Sequence, residues 1–472
     1  MTAVEAHALF AAGERAVVDV LLAQDTTIRE LEARLALTSR NSSKPPSTDG
    51  FHKPVPKSLR TRSGLKPGGQ PGHPGSTLVM TQTPDHIELY PVDTCSFCGH
   101  DLSSQGAEAL ERRQVFDIPP LPRTEITEHR LETKTCPICH RVTTSSSSPS
   151  RTVRAPVQYG PRMKALAVYL KDYQMLPFAR MAELMKDLFG CSLSEGTLAT
   201  MLTETCSLVD APLAAIFELL TTSPVCHFDE TGLYVTGKRQ WLHVAATATL
   251  TLYKMHATRG TRAMTAHGLL PRFKGRAIHD FWKPYITFTE CSHGLCNAHH
   301  LRELVFVHEQ MKQPWAKCMI DQLLQCKMLV ETAMAEHRIS LTEQELDHCL
   351  RGFLASIDRG IAANPPPVSI PGKRGRPKDS KAGNLVRRLL KYQREALAFL
   401  YDFNVPFTNN LAERDLRMMK VQQKVSGTFR STRGGESFCS LRSYISTARK
   451  NGLSAFTAIT MALDGQPFIP SH

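Results

Sequence analysis

Residues 225–256 read VCHFDETGLYVTGKRQWLHVAATATLTLYKMH, and this run decides the fold class. It is rich in β-branched and aromatic residues and is punctuated by Gly and Lys, so it reads as a hairpin-like sheet. A further strand follows in GRAIHDFWKPY, residues 275–285. Both flanks change period. Residues 162–220 are helical in spacing; Phe178 to Phe189 reads as one helix, Gly190 as its stop, and Ser192 with Glu195 as a capping box for the next. That pair has a helix-turn-helix outline, equally the outline of ordinary helix packing. Residues 299–360 are helical again, Pro365 to Lys381 is a Pro/Gly/basic loop, and a helix follows to about Phe403. Two closing helices start at Asn409 and near Glu436. The sheet is therefore part of a multidomain α/β chain with a long helical region between its last strand and the closing helices.

The N-terminal part has a different texture. Val17, Leu21, Gln24, Ile28, Leu31 and Leu35 alternate spacings of four and three, a short heptad seam. It predicts either a coiled coil or a helix packed on its own domain. Residues 41–75, containing NSSKPPSTDG and LKPGGQPGHPG, are rich in Pro, Gly and Ser and basic, an extended linker. Cys95-x-x-Cys98 and Cys136-x-x-Cys139 are two knuckles that together supply four thiolates for a structural zinc ion, the alternative being unliganded thiols. His100 and His140 stand beside them as substitute ligands.

At 472 residues, and at roughly 100–200 residues per domain, the chain has room for several cores. Thirteen cysteines with two C-x-x-C pairs suit a reducing compartment better than a disulfide framework. The N-terminus lacks the basic start and apolar centre of a signal peptide, and no uncharged run reaches the ~18 residues of a membrane helix. The expectation is a soluble, cytoplasmic protein. The net charge of +13 implies an anionic partner, and it is concentrated. Residues 51–80 carry +5, 371–391 carry +7 and 414–450 carry +7, so the rest of the chain is acidic. Patches of this kind suit a protein that tracks a phosphate backbone.

Three carboxylates are candidates for metal chemistry; the alternatives are strand-end carboxylates that face water for Asp229 and Asp280 and a first-turn residue favoured by the helix dipole for Glu413. Asp229 lies inside the strand run HFDET, Asp280 ends the run AIHDFW, and Glu413 begins a helix in TNNLAERDLRMMK, where Asn409 or Asn410 is a suitable N-cap. A carboxylate among apolar strand residues is costly to bury unless a cation compensates it. Arg417 and Lys420 follow Glu413 at i+4 and i+7, on one helix face that could grip a phosphate or simply be solvated. Arg430 belongs to the same basic block. Arg374 and Arg376, in KRGRPK, have the shape of a minor-groove arm or of a solvated loop. Cys291, His293, Cys296, His299 and His300 have no trustworthy spacing for a closed metal site. His299 is the candidate there for substrate positioning; the alternative is a buried, hydrogen-bonded helix histidine.

The runs HFDETGLYVTGKRQWLHVAAT, AIHDFWKPY, LCNAHHLREL and FTNNLAERDLRMMKVQQKVSGTFRS together resemble the catalytic motifs of insertion sequence 66 family transposases. The likeness extends over nearly the whole chain, including the N-terminal helix, the linker and the knuckles. It implies a ribonuclease-H-like catalytic core interrupted by a helical insertion, with an Asp-Asp-Glu triad at Asp229, Asp280 and Glu413. It further implies two Mg²⁺ or Mn²⁺ ions at the triad, a zinc-finger-like DNA-binding domain around Cys95, Cys98, Cys136 and Cys139, and DNA ends and target DNA as partners. The expected activity is end cleavage and strand transfer by two-metal phosphoryl transfer. An end-binding regulator without catalysis and a nuclease without joining activity are the rival readings.

On this reading the chain divides into an N-terminal helix (1–40), a basic linker (41–80), a zinc-ribbon-like domain (81–150), a helical domain (155–222), a first part of the core (223–296), a helical insertion (297–403), a second part of the core (404–455) and a tail (456–472). A homo-oligomer in the DNA complex and accessory proteins of the same element are further expected partners, with no membrane.

Overall fold

The structure is a computed structural model and describes residues 2–38, 41, 78–107, 111–118, 124–145, 153, 155–367 and 379–471. The chain forms two compact units. One comprises Val55–Thr127 with Leu188–Gly190; the other comprises Met1–Pro54, Glu128–Asp187 and Cys191–His472. Arg374 and Arg376, and nearly all of the 41–80 linker, lie outside the described residues.

The larger unit opens with α1 (Ala3–Ala11) and α2 (Glu14–Leu35). Thr2 and Glu5 cap α1 reciprocally, each side chain meeting the other's backbone N–H. Along α2 the heptad residues Leu21, Ile28, Leu31 and Leu35 are half or more exposed. A small hairpin of β1 (Thr133–Thr135) and β2 (Val142–Thr144) follows.

Then come α3 (Pro161–Val168), a π-turn at Tyr169–Tyr173, α4 (Phe178–Phe189), α5 (Glu195–Cys206) and α6 (Asp210–Thr222). Gly190 ends α4 in the left-handed region, φ +65°, as the sequence predicts. The cap of α5 is Ser194, whose hydroxyl accepts from the Thr197 N–H, and not the expected Ser192. Glu195 is thereby the first helical residue, where it favours the helix through the dipole instead of closing a capping box. Glu195–Thr222 has the length and mean apolar content of a membrane-spanning helix but is not an uncharged run, so the sequence expectation stands. It is two helices joined by a short 3₁₀ turn, carrying Glu204, Asp210 and Glu218, and it turns Leu198, Met201, Leu202, Ile216 and Leu220 into the core.

The sheet consists of β3 (Val225–Val235), β4 (Lys238–Ala246), β5 (Thr251–His256), β6 (Arg276–His279) and β7 (Ser292–Leu295), in the order β5-β4-β3-β6-β7. The first three strands are antiparallel, and β6 and β7 add in parallel. Thr236 and Gly237 make the β3–β4 turn with φ values of +47° and +75°, both in the left-handed region that twists a two-residue hairpin correctly. The helices α7 (Thr261–His267) and α8 (Leu269–Arg272) link β5 to β6, and α9 (Lys283–Ile286) links β6 to β7.

Between β7 and the closing helices come α10 (Asn297–Glu309), α11 (Pro314–Ala335), α12 (Glu343–Ala363) and α13 (Lys381–Lys391), with α14 (Gln393–Ala396) and α15 (Ala398–Tyr401) where the sequence predicts one continuous helix. The chain closes with α16 (Asn410–Ser426), α17 (Thr432–Lys450) and α18 (Ala455–Leu463). α17 begins four residues before the expected Glu436 because Ser431 caps it.

Period-two alternation gives the sheet two different faces. Leu233, Val235, Leu242, Val244 and Tyr253 pack against Ala412, Leu416 and Met419 of α16 and Phe438 of α17. Cys226, Phe228, Ala245 and Leu252 pack on the other side against Ile216 and Leu220 of α6 and Leu269 and Leu270 of α8. Helices α10 to α15 pack around a further core built on residues such as Leu304, Trp315, Leu323, Phe353 and Val386, which also takes in Ile278 of β6.

Candidate active site

The β3–β6 register pairs His227 with Ile278. Carried two residues further, it sets Asp229 level with Asp280, which directly follows the end of β6. Asp229 faces the same side of the sheet as its partner Val244, the side covered by α16. Glu413 lies in the first turn of α16. Asp229 feels the charges of Asp280 and Glu413, and Asp280 feels that of Glu413. Burial, reinforced by Glu230, Asp280 and Glu413, pushes the Asp229 carboxyl well above the ordinary carboxylate range, against one N–H bond from Glu230 at 2.8 Å. Burial and then Glu230 push Asp280 up to about 6, with Arg259 opposing. Acids in this state resist losing their protons until a cation joins them, so the donor set fits a divalent metal ion. Asp229, Asp280 and Glu413 are the residues that could hold it.

The start of α16 is fastened to β3. Asn409 occupies the N-cap position but makes no side-chain cap. Its Oδ1 meets His227 Nδ1 at 2.8 Å and its Nδ2 donates to the Phe228 carbonyl at 2.8 Å. Its backbone N–H donates to Cys296 Sγ at 3.1 Å, and the Asn297 N–H donates to the Phe407 carbonyl at 3.1 Å. Asp229 and Glu413 are thus separated from a shared clamp by one or two residues on β3 and one helical turn on α16.

Glu230, absent from the sequence-derived site, points to the opposite face of β3. Its carboxylate is held by Arg259 at 2.6 Å and by a hydrogen bond from the Tyr285 hydroxyl. The Arg259 guanidinium lies 3.9 Å from the Trp282 ring centre and 5.0 Å from that of Trp241.

The Cys/His run separates into individual roles. Buried His300 meets Asn297 Oδ1 at 3.1 Å, His293 meets His279 at 3.0 Å, and Cys291 donates to the Phe288 carbonyl. His299 fits neither sequence reading cleanly. Its Nδ1 is buried without a hydrogen-bond partner, 3.8 Å from Glu413 Oε1, which is equally buried and unpartnered. Arg302 Nη2 lies 4.0 Å from Glu413 Oε2. Burial, then Arg302 and Arg388, hold His299 down to about 4, so its imidazole is neutral.

Arg417 and Lys420 are exposed on α16, and Arg430 is exposed with an ion pair to Glu195 at 3.2 Å. Each Cys knuckle has the same local turn. The Cys95 N–H donates to the His100 carbonyl and the Gly99 N–H, at φ +72°, donates back to the Cys95 carbonyl; Cys136, Arg141 and His140, at φ +54°, repeat the arrangement. Backbone N–H groups of Cys98 and then Phe97 lower the Cys95 thiol, and those of Cys139 and then Ile138 lower Cys136. The first knuckle belongs to the smaller unit and the second to the larger.

The family model described as Transposase IS66 family matches residues 156–437. A family of unknown function (DUF6444) matches residues 4–78. No curated protein matches the chain.

Proposed function

The chain belongs to the IS66 transposase family, a family of DNA-processing enzymes, and from that premise we propose that Asp229, Asp280 and Glu413 are the catalytic triad of a ribonuclease-H-like core. The observation that supports the assignment is the register that sets Asp229 level with Asp280 on the sheet face covered by α16, whose first turn carries Glu413. Divalent metal bound by them lowers the pKa of the attacking hydroxyl and offsets charge on the leaving oxygen. The protein's own part is to hold the carboxylates and the DNA. β3 and β6 supply two ligands from neighbouring hydrogen-bonded strands, and the Asn409 clamp sets the third. Arg417 and Lys420 hold backbone phosphates flanking the scissile bond, Arg430 extends that path, and His299 with Arg302 positions the phosphate beside Glu413. Water attacks first to free a 3′-hydroxyl at the element end, and that hydroxyl then attacks target DNA at the same site.

The knuckle at Cys95 and Cys98 and the knuckle at Cys136 and Cys139 each offer a thiolate pair to structural zinc, and the exposed heptad face of α2 joins two copies. The test incubates full-length protein with labelled element ends, a target plasmid and Mg²⁺ or Mn²⁺. Nicked ends and joined products are expected from the parent chain, and neither from Asp229→Asn or Glu413→Gln, with end binding retained. Cleavage by either variant overturns the triad; nicking without joining by the parent leaves a nuclease.

A further inference from the structure

We propose that Cys296, His299 and Glu413 form a second, mutually exclusive site for a thiophilic divalent ion of the zinc class, whose occupation withdraws Glu413 from the triad. The ligand atoms of the three residues all lie within 4.8 Å of one another. Two of them, His299 Nδ1 and Glu413 Oε1, are buried, face each other at 3.8 Å and have no hydrogen-bond partner. That separation is too long for a hydrogen bond and suits two ligands each about 2.0–2.2 Å from one ion.

The third donor, Cys296, has a thiol that burial pushes up to about 11, so it is a neutral thiol until a metal ion displaces its proton. Cys296 Sγ is buried and already accepts the Asn409 N–H at 3.1 Å. Cys296 and His299 flank the first turn of α10, so helix geometry fixes their spacing, and Glu413 arrives from α16. One thiolate and one carboxylate neutralise a 2+ ion, which the nearby cations Arg302 and Arg388 would otherwise disfavour. Sulfur and imidazole select zinc over magnesium, which prefers oxygen ligands. On binding, the Cys296 S–H bond breaks, a sulfur–metal bond forms and the proton leaves to water; nothing is oxidised.

The inhibitory consequence rests on Glu413 being a triad member; the binding does not. The experiment uses full-length protein titrated with Zn²⁺ and with Co²⁺, reading bound ions per chain and thiolate-to-cobalt absorption, beside Mg²⁺-dependent end cleavage at each Zn²⁺ concentration. The parent is expected to bind one ion more than Cys296→Ser or His299→Ala, while ions held by the Cys95 and Cys136 knuckles remain in all three. Zn²⁺ inhibition, scaled to each protein's own Mg²⁺ activity, is expected to weaken on the order of 100-fold in the variants. Thermal melting checks that each variant is folded, and His299→Ala serves if Cys296→Ser is not. Equal ion counts and equal inhibition in parent and variants overturn the proposal. If Glu413→Gln still cleaves while the Cys296-dependent ion is present, the triad falls and the binding site stands; the reverse pattern sinks the site alone.

Discussion

Asp172 is 1% exposed in the π-turn that precedes α4, and its Oδ2 has no hydrogen-bond partner. Burial pushes its carboxyl up to about 7, despite the opposing charges of Lys171 and Arg442. The unfolded chain loses that proton near 3.8, so between these values the folded state binds more protons and stability falls as pH rises. Asp172→Asn should match the parent below pH ~4 and become progressively more stable, by up to about 4 kcal/mol above pH ~7. Denaturant unfolding across that range measures the difference, and a gap that does not change with pH refutes the account. Asp172 carried no signal in the sequence, because a charged residue in a helical run ordinarily faces water. Asp229 did carry one, being a carboxylate among strand residues. Its neighbour Glu230 was hidden for a different reason: what satisfies it is Arg259, and only the loop after β5 brings that residue back to β3.

The start of α16 shows how an element can be legible while its fastening is not. Asn ahead of a helix reads as an N-cap, and Asn409 does occupy that position. Its amide is spent instead on His227 and the Phe228 carbonyl, 182 and 181 residues away in the chain, a tie that no local pattern encodes. The two roles make different predictions. Asn and Asp are nearly equivalent as caps, so a capping role lets Asn409→Asp fold as well as the parent. A bridging role does not, since a carboxylate facing the Phe228 carbonyl cannot donate. We expect Asn409→Asp and Asn409→Ala each to lose about 1–3 kcal/mol by leaving buried groups unpaired. Urea unfolding decides, and parental stability in Asn409→Asp would reject the bridge. The Cys/His run failed as a linear motif for a similar reason: Glu413, which completes its one close cluster, lies more than a hundred residues downstream. By contrast β3 to β6 were readable from composition, since a sheet's apolar alternation is local.

At the scale of the whole molecule, the block 414–450 looks uniformly basic in sequence and is divided in the fold. Arg442 is turned inward, donating to the Asp172 carbonyl at 3.1 Å and lying over the Tyr173 ring. Lys450 pairs with Asp415 at 2.8 Å and donates to the carbonyls of Thr247 and Leu250. In the block 371–391, Arg387 pairs with Asp379, and Arg388 with Glu303 at 2.7 Å. These cations hold elements together, so a charge total overstates what can reach DNA. Arg417 and Lys420, by contrast, are exposed on α16. Counterion release ties each backbone phosphate contact to a slope of about 0.9 in log affinity against log salt. Replacing both Arg417 and Lys420 by Gln should therefore flatten that slope by roughly 2 while leaving the melting temperature near the parent's. Arg442→Met should do the opposite, lowering the melting temperature and leaving the slope unchanged. Binding titrations over a range of salt, run beside thermal melts, separate the two; an unchanged slope in the double variant would remove this face of α16 from the DNA path.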